Sequence, residues 1–333
     1  PTESDQIKTY SNITITITTA SGYVITQTFN LTLIPSAATT ISAGSNHSCS
    51  LLDDASVKCW GLNSYGQLGI DNRTTMGDNE SDMALLTGIN LGTGRRAISI
   101  SVGTNHTCAL LDNASVKCWG ENDRGQLGIG NNTGNNLRIG DDSGEMAQLT
   151  GINLGTGRTA TAISAGGTHT CALLDNASVK CWGNNGYGKL GIDNSTTMGD
   201  DSGEMGDNLP SINLGTGRTA IAISAGNNHT CALLDNGAVK CWGFNYTGQL
   251  GIDNDTQMGD DSEEMAQLTG INLGTGRTAT AISAGGSHTC AFLDNDSVKC
   301  WGNNDNGKLG IGNTTDMGDD PGEMGDNLPS VNL

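Results

Sequence analysis

The sequence predicts an all-β chain built from five tandem repeats, and three observations lead to that prediction. First, a unit of about sixty residues recurs, with one histidine per copy at His47, His106, His169, His229 and His288. Second, 49 glycines, 35% hydrophobic residues and few aromatic residues suit many short strands joined by turns. Third, no segment shows the hydrophobic period of an amphipathic helix. A fixed period of this size indicates a repeat architecture.

The third repeat shows how one unit is built. A strand is predicted at 162–166, a hairpin has its two strands at 168–175 and 178–183, and an N-x-x-G-[QK]-L-G turn follows at 185–191. After an acidic loop comes a fourth predicted strand, 209–214. Both faces of the hairpin are largely apolar, so another layer is expected to cover each of them. Four short strands per unit, buried on both faces, are what a β-propeller blade requires.

The repeat boundaries divide the chain into a short N-terminal segment, 1–36, and one propeller-like domain, 37–333. The five repeats are expected at 37–95, 96–158, 159–218, 219–277 and 278–333. Whether they close into a ring is left open by the sequence. The chain begins at Pro1 without a methionine, so we expect a mature or excised portion of a longer product.

Ten cysteines form five C-x9-C pairs, which we predict to be disulfides: Cys49/Cys59, Cys108/Cys118, Cys171/Cys181, Cys231/Cys241 and Cys290/Cys300. An apolar strand, a turn and a second strand lie between the members of each pair, so the two cysteines should face each other across a hairpin. One alternative is zinc bound by the His-x-Cys…Cys set, although a fourth ligand is missing, and another is a row of reduced thiols. Evenly paired cysteines indicate an oxidising compartment and predict a secreted protein.

The acidic residues concentrate in the loop after each N-x-x-G-[QK]-L-G turn, where methionines flank a recurring G-D-D-x-x-E unit. Clustered carboxylates repel one another unless water solvates them or a cation such as calcium bridges them. The candidate calcium ligands are Asp78, Asp82, Asp141, Asp142, Glu145, Asp200, Asp201, Glu204, Asp260, Asp261, Glu264, Asp319, Asp320 and Glu323. The alternative is a solvated acidic rim, and no cofactor is required. In the second repeat Ile139 replaces the first methionine, which indicates that these methionines pack rather than bind metal.

Two other recurring residues are expected to be structural. Each repeat histidine is predicted to make a fixed hydrogen bond inside its own blade. The lysines that precede the second cysteine of each pair are interpreted as strand-edge charges: Lys58, Lys117, Lys180, Lys240 and Lys299.

The N-terminal segment is predicted to be a β-hairpin that takes part in assembly. Apolar residues alternate with polar ones in two runs, at Ile13, Ile15, Ile17, Phe29, Leu31 and Leu33. An isolated hairpin is marginally stable in water, so it should pair with another element. We expect it to complete a blade in its own chain or in a neighbouring chain. Alternatively, it is the end of a preceding immunoglobulin-like domain.

The repeat also resembles that of the regulator of chromosome condensation family. The resemblance lies in the A-G-x-x-H-[ST] strand, the W-G pair from Trp60-Gly61 to Trp301-Gly302, and the N-x-x-G-[QK]-L-G turn, and it spans about residues 37 to 333. It implies a β-propeller, and the cysteine-paired form is similar to members found in secreted bacterial proteins. The present repeats are longer than is usual in that family, and they are fewer than its usual seven.

The charge and the repeated chemistry limit the function. A net charge of −19 makes nucleic acid and anionic membranes poor partners, since both would be repelled, and favours cations and basic proteins. No apolar run is long enough for membrane insertion. Catalytic activity is not expected, because no histidine lies outside the repeats and no unique nucleophile–base pair stands out.

The near identity of the repeats favours a non-catalytic extracellular structural protein. In this hypothesis propeller subunits assemble with one another into a surface layer, fibre or adhesive on a bacterial cell surface. A second hypothesis is a secreted module that binds or inhibits another extracellular protein through a propeller face. A third, an exchange-factor-like regulator, fits an acidic chain with paired cysteines poorly.

Overall fold

The computed structural model describes residues 8–18, 24–33, 36–131 and 137–333, and strands form most of its regular structure. In the N-terminal segment, β1 (Lys8–Thr18) pairs with β2 (Val24–Leu33) as an antiparallel two-stranded sheet. This confirms the predicted hairpin, whereas 1–7, 19–23 and 34–35 lie outside the described residues. Among the described strands β1 and β2 pair only with each other, so the predicted completion of a blade is not seen within the chain.

Each repeat contributes one antiparallel sheet. The strands are β3 (Ala38–Ala43), β4 (His47–Leu52) and β5 (Val57–Gly61) in repeat 1; β6 (Ala97–Val102), β7 (His106–Leu111), β8 (Val116–Glu121) and β9 (Arg138–Ile139) in repeat 2; β10 (Ala160–Ala165), β11 (His169–Leu174) and β12 (Val179–Gly183) in repeat 3; β13 (Ala220–Ala225), β14 (His229–Leu234) and β15 (Val239–Gly243) in repeat 4; and β16 (Ala279–Ala284), β17 (His288–Leu293) and β18 (Val298–Gly302) in repeat 5. Three single-turn helices lie in the acidic loops: α1 (Asp82–Leu85), α2 (Glu145–Gln148) and α3 (Glu264–Gln267). Short 3-10 turns occur at Gly186–Gly188, Gly206–Asn208, Asp305–Gly307 and Gly325–Asn327. Within the described part of the chain, no helix is long and apolar enough to cross a membrane.

The fourth strand of each repeat differs from the prediction. In repeat 3 the segment 209–214 is not a strand, because it makes a single backbone bond to the sheet, from Ile212 N to Val179 O, rather than a ladder. The fourth position is taken instead by Met198, which bridges to Gly183. Among the described residues, repeat 2 alone extends this bridge into the short strand β9, where Ile139 pairs with Gly120. Ile139 therefore occupies the place of the methionine, as its position in the sequence indicated.

The ten cysteines join in the five predicted pairs. In repeat 3, Cys171 of β11 lies directly opposite Cys181 of β12, with the two Cα atoms 4.1 Å apart, and the Sγ atoms are bonded. The other four repeats have the same arrangement across their hairpins, with the disulfides Cys49–Cys59, Cys108–Cys118, Cys231–Cys241 and Cys290–Cys300.

The disulfides exclude both alternatives that the cysteine spacing left open. A zinc site needs thiolate ligands, and reduced cysteines would carry thiols. No described cysteine is free, so neither chemistry is present in the described chain. The second cysteine of each hairpin, which would have completed the His-x-Cys…Cys ligand set, is instead bonded to the first: Cys59, Cys118, Cys181, Cys241 and Cys300.

Successive repeats pack sheet against sheet, which covers both faces of the inner hairpins. In one interface, Cys171 and Leu173 of repeat 3 pack against Ala232 and Trp242 of repeat 4. Equivalent clusters join repeats 1 and 2, 2 and 3, and 4 and 5. The tryptophan of each following repeat also donates its indole N–H across the interface, as from Trp182 to the carbonyl of Gln126 at 3.1 Å. One interface is therefore repeated four times along the chain.

The first repeat lacks a preceding neighbour among the described residues, and its outer face is open. Trp60 is half-buried there, whereas the equivalent tryptophans of the other repeats are fully buried. Ile41 and Met83 are exposed on the same face, beside a groove of about 890 Å³. In repeats 2, 4 and 5 the counterparts of Met83 are buried, as expected if these methionines pack the loops against the blades.

Candidate interaction face

The N-x-x-G-[QK]-L-G turn holds its own shape through the asparagine. Asn185 is fully buried, its Oδ1 accepts the Leu190 backbone N–H at 2.9 Å, and its Nδ2 donates to the Asn194 carbonyl. Gly188 follows at φ 71°, and a Cβ there would meet the backbone nitrogen of Asp260 at 2.3 Å. The asparagine and glycine are thus required by the fold, and the glycine brings each turn against the acidic loop of the next repeat. The residues between them are free to vary.

The variable positions of W-G-x-N-x-x-G differ in chemistry from one repeat to another. We call these fifteen residues the turn face: Leu62, Ser64, Tyr65, Glu121, Asp123, Arg124, Asn184, Gly186, Tyr187, Phe244, Tyr246, Thr247, Asn303, Asp305 and Asn306. All three tyrosines of the repeat domain are among them. The framework residues of the motif are almost identical in the five copies, so chemical individuality is concentrated on this face.

Three aromatic residues of the turn face form one cluster at the boundary between repeats 3 and 4. The ring centroids of Tyr187 and Phe244 are 4.8 Å apart with an edge-on geometry, and those of Phe244 and Tyr246 are 4.7 Å apart. Tyr187 is 43% exposed and Tyr246 is 64% exposed. Tyr187 also adopts φ 69°, in the left-handed region that a tyrosine rarely visits. We call these three residues the aromatic cluster.

Cations lie on and beside the turn face, and three of them belong to repeats 2 and 3. The guanidinium of Arg138 lies 5.3 Å from the ring centroid of Tyr65, within the range of a cation–π contact. Arg124 pairs with Asp123 at 3.6 Å. Lys189 is only 2% exposed and donates to Asn228 Oδ1 at 3.0 Å. Burial lowers the pKa of Lys189 to about 8, and the Arg124 charge acts in the same direction.

The predicted disulfide residues belong to the blade interior and not to the turn face. Nine of the ten are buried, namely Cys49, Cys59, Cys108, Cys118, Cys171, Cys181, Cys231, Cys241 and Cys300. Cys290 in repeat 5 is half-buried. A buried cystine within one hairpin offers neither a nucleophile nor a metal ligand, so these residues stabilise the blades.

The glutamate of each G-D-D-x-x-E unit holds its own loop. Oε2 of Glu204 accepts backbone N–H groups from Gly199, Asp200 and Asp201 at 2.8, 3.1 and 2.9 Å. The loops of repeats 2, 4 and 5 repeat the pattern with Glu145, Glu264 and Glu323, and Asp82 replaces the glutamate in repeat 1. A carboxylate that accepts several backbone N–H groups is stabilised in its charged form. The recurrence of this residue therefore has a structural explanation that requires no metal.

The calcium prediction finds its best geometry in the second repeat. One carboxylate oxygen from each of Asp141, Asp142 and Glu145 lies within 4.8 Å of the others. Asp141 also forms an ion pair with Arg73 at 2.7 Å, which competes with a metal for that carboxylate. Among the described residues, the other predicted ligands do not gather in such a group: Asp78, Asp82, Asp200, Asp201, Glu204, Asp260, Asp261, Glu264, Asp319, Asp320 and Glu323. Calcium binding stays a prediction.

The repeat histidines have a structural role between repeats. His106 Nε2 lies 2.9 Å from Thr170 Oγ1, and that hydroxyl donates to the Gln126 carbonyl at 2.9 Å. Since the hydroxyl proton is used there, the neutral imidazole must donate from Nε2. Both side chains are completely buried, so this pairing of a histidine with a hydroxyl cannot meet a substrate as a catalytic base and nucleophile would. The bond crosses to the next repeat, whereas the sequence predicted one inside the blade.

Comparison with known proteins places the chain in a family. The family model described as the RCC1-like domain matches residues 22–331. The chain belongs to the RCC1-like domain family. The ultraviolet-B receptor UVR8 of Arabidopsis thaliana is 27% identical over 280 residues, which is 83% of this chain and 55% of that protein. Protein pim1 of Schizosaccharomyces pombe is 28% identical over 282 residues, covering 81% and 48%.

Solved structures agree with the RCC1-like fold. Human WBSCR16 matches with a TM-score of 0.66 at 19% identity, over 90% of this chain and 68% of that chain. Yeast RCC1 (Prp20) bound to Kap60 matches with the same TM-score of 0.66 at 18% identity, over 90% and 62%. The chain spans about half the length of the curated relatives named here. The family assignment confirms the resemblance found in the repeat motif.

Sequence reasoning finds only part of the RCC1-like domain's turn face. When the repeats are aligned, Phe244, Tyr246 and Arg124 differ in residue type from all their counterparts at the turn face, and Arg138 differs beside it, whereas Tyr187 shares its residue type with Tyr65. The partner of Tyr187 in space, Phe244, belongs to the next repeat, and packing between repeats brings the two rings together. A signal is present in the sequence, because Tyr187 stands at the alignment position that Arg124, Thr247 and Asn306 occupy in other repeats.

Proposed function

We propose that this RCC1-like domain is a secreted, non-catalytic binding module that recognises a protein partner through the turn face. The observation that carries the proposal is the aromatic cluster at the variable positions of otherwise equivalent repeats. Tyr187 and Tyr246 expose apolar area to water there. Aromatic and arginine side chains are enriched where protein interfaces gain most of their affinity, and acidic side chains are depleted there.

Two further observations support the proposal. The five local disulfides suit an oxidising compartment, which favours secretion and a position outside the cell or at its surface. At the level of the family, yeast RCC1 (Prp20) has been solved bound to another protein, Kap60. The turn face of the present chain has its own residues, so its partner has to be identified independently.

The test uses replacements that the fold already accepts. Phe244→Asn, Tyr246→Asp and Tyr187→Asn each introduce the residue that repeat 5 carries at the same position, namely Asn303, Asp305 and Asn306. The immobilised domain and the triple variant are exposed to proteins from the medium of the producing organism, and the captured proteins are quantified. We expect a loss of about tenfold or more in one captured protein with the triple variant, since aromatic anchors carry much of the affinity of an interface.

The control replaces an exposed apolar residue away from the turn face. Ile221 is exposed in β13, and Ile221→Thr introduces the residue found at the same position in Thr161 and Thr280. This variant should capture the partner as the original domain does. Equal capture by the triple variant would rule out the turn face as the recognition surface.

A second candidate function is assembly into a layer, fibre or adhesive, and the open face of repeat 1 favours it. Trp60, Ile41 and Met83 expose there the kind of surface that repeats 2 to 5 bury against a neighbour. Among the described strands the N-terminal hairpin pairs with no blade of its own chain, and it is available to a neighbouring one. Sedimentation should then show concentration-dependent growth that is lost when residues 1–34 are deleted. A full chain that stays monomeric at high concentration would exclude this candidate.

A further inference from the structure

We propose that the aromatic cluster binds an arginine side chain of the protein partner, against the ring of Tyr187. The proposal deepens the function proposed above and rests on it. Its basis is a comparison of two equivalent boundaries within the chain, between repeats 1 and 2 and between repeats 3 and 4. At the first boundary the chain supplies its own cations, and at the second the corresponding positions are neutral.

At the boundary between repeats 1 and 2, an arginine of the chain itself lies over a tyrosine ring. Tyr65 occupies the last variable position of its turn, and Arg138 of the following repeat lies over its ring at 5.3 Å. Beside them Arg73 pairs with Asp141 at 2.7 Å. A guanidinium over a tyrosine face is attracted by the ring quadrupole, and a nearby carboxylate adds to that attraction.

The boundary between repeats 3 and 4 has the same ring and the same carboxylate without the arginines. Tyr187 stands where Tyr65 does, and Asp260 stands where Asp141 does. The residue before Met258 is Gln257, in the place of Arg138, and Ser195 takes the place of Arg73. Gln257 Nε2 donates to Asp260 Oδ2, whereas Asp260 Oδ1 is buried and has no hydrogen-bond partner among the described residues. Both cations of the first boundary are thus missing from the second.

The aromatic surface at this boundary is also larger. Phe244 and Tyr246 extend the platform beside Tyr187, whereas repeat 2 has Glu121 and Asp123 at those positions. Tyr187 and Tyr246 are exposed, and the face of an exposed aromatic ring attracts a cation. An arginine side chain can therefore use its methylene groups and its guanidinium on the same platform.

Carboxylates border the cluster on the side of repeat 5 as well. Gly248, two residues after Tyr246, is so close to the loop of repeat 5 that a Cβ on it would meet the Asp319 nitrogen at 2.4 Å. Burial raises the pKa of Asp319, and the charges of Glu323 and Asp316 raise it further. A cation brought to this rim would relieve that repulsion, so the charge of the surroundings matches a basic partner.

None of the cations that the structure describes occupies the platform. Lys189 directs its ammonium to Asn228 and Thr168, and Arg124 pairs with Asp123. Within the described residues the cation–π contact found is that of Arg138 with Tyr65, at the other boundary. The position over Tyr187 is therefore left for a side chain from outside.

The test uses short peptides and tyrosines labelled with fluorine. The probe is acetyl-Gly-Gly-Arg-Gly-Gly-amide, and the matched control carries citrulline, which keeps the shape of arginine and lacks its charge. Titrations are followed by 19F resonances of 3-fluorotyrosine at Tyr187 and Tyr246, with Tyr65 as an internal reference. We expect the arginine peptide to shift the Tyr187 and Tyr246 signals, with a Kd roughly fivefold or more below that of the citrulline peptide.

Two exchanged variants test the comparison between boundaries. Gln257→Arg should supply the cation from within the chain and raise the Kd of the arginine peptide at Tyr187 by roughly fivefold or more. Arg138→Gln should uncover Tyr65, whose signal then begins to respond to the peptide. Circular dichroism and the count of free thiols verify that both variants are folded and oxidised.

The outcomes separate this inference from the proposed function. Equal binding of the citrulline peptide, or unchanged binding in Gln257→Arg, overturns the arginine inference while turn-face recognition of a partner can still hold. An absence of any shift at Tyr187 and Tyr246 also overturns it. Failure of the triple variant to affect partner capture would instead overturn the proposed function itself.

Discussion

Lowering the pH from 7 to 5 is expected to destabilise this domain through the histidines between its repeats. His106 and His229 are completely buried, and burial lowers the pKa of each to about 3, with the charge of a neighbouring histidine acting in the same direction. Burial also lowers the pKa of His47 to about 4. In each ring Nε2 faces a threonine hydroxyl, whereas Nδ1 is buried without a hydrogen-bond partner in the described part of the chain. Protonation would place an uncompensated charge at Nδ1.

The sign and the size of the effect follow from the difference between the histidine pKa values in the folded and in the unfolded chain. Because the folded pKa values lie below the unfolded value of about 6.5, the unfolded chain takes up protons first as the pH falls. The stabilisation is complete above that value and is lost as the pH falls towards 4 and then 3. At pH 5 the contribution of each of the three histidines to the free energy of unfolding is about 2 kcal/mol smaller than at neutral pH, or roughly 6 kcal/mol for the three together. That is comparable to the whole free energy of unfolding of many domains, about 5–15 kcal/mol.

The assay is equilibrium unfolding in urea at pH 7, 6 and 5 with the disulfides intact. His106→Gln and His229→Gln replace a titrating group by a neutral donor, so each should reduce the pH dependence near pH 5 by about 1.4 kcal/mol per pH unit. Carboxylates with lowered pKa values, such as Asp54 at about 2, titrate below this range. Burial raises the pKa of Glu145 and of Asp319, which acts with the opposite sign, and the histidine variants separate the two effects. A free energy of unfolding that differs by less than about 1 kcal/mol between pH 7 and 5 would refute the reasoning.

Three further predictions concern the loops and the two kinds of blade face. Glu264→Gln removes the charged acceptor of three backbone N–H groups and should lower the free energy of unfolding by about 1–2 kcal/mol, whereas the exposed neighbour Glu263→Gln should change it by less than about 0.5 kcal/mol. Trp182→Ala leaves a cavity in a buried interface and should lower the free energy of unfolding by about 3–5 kcal/mol, whereas Trp60→Ala on the open face of repeat 1 should lower it by less than half as much. Equal losses of free energy in urea unfolding would mean that this face is covered in solution. Millimolar calcium should raise the Tm by a few degrees through binding at Asp141, Asp142 and Glu145, and Asp142→Asn should abolish the shift while Asp261→Asn retains it. No shift in the original chain, with no bound metal by elemental analysis, would leave the acidic loops as a solvated rim.

Much of the fold could be predicted because short-range rules determine it. The period of the strands and the length of the hairpin place Cys171 opposite Cys181, and the structure has that pair. The prediction of the fourth strand at 209–214 was wrong, because the spacing of Leu209, Ile212 and Leu214 resembles that of a strand although the segment forms none. These side chains are buried between repeats, but their backbone makes no ladder. Burial and strand pairing produce similar patterns of apolar residues, and the sequence does not separate them.

The site was harder to predict because its parts come from different repeats. The interpretation of the lysines before the second cysteine as strand-edge charges is wrong for four of them, which are buried: Lys117, Lys180, Lys240 and Lys299. Lys117, for example, donates to the Leu91 carbonyl of the preceding repeat. The aromatic cluster likewise depends on how repeats 3 and 4 pack, which no local pattern within either repeat contains. Contacts between repeats become predictable only once the blades are placed side by side.

Because one interface recurs four times, each blade can pack against the neighbours of another blade. The same bond between a histidine and a threonine hydroxyl crosses each border, so a duplicated or exchanged blade would meet neighbours that it already fits. Recombination between such similar coding segments could lengthen, shorten or reorder the array without requiring a new interface. The side chains of the turn face would travel with their blade, and new combinations of recognition residues would arise in one genetic event.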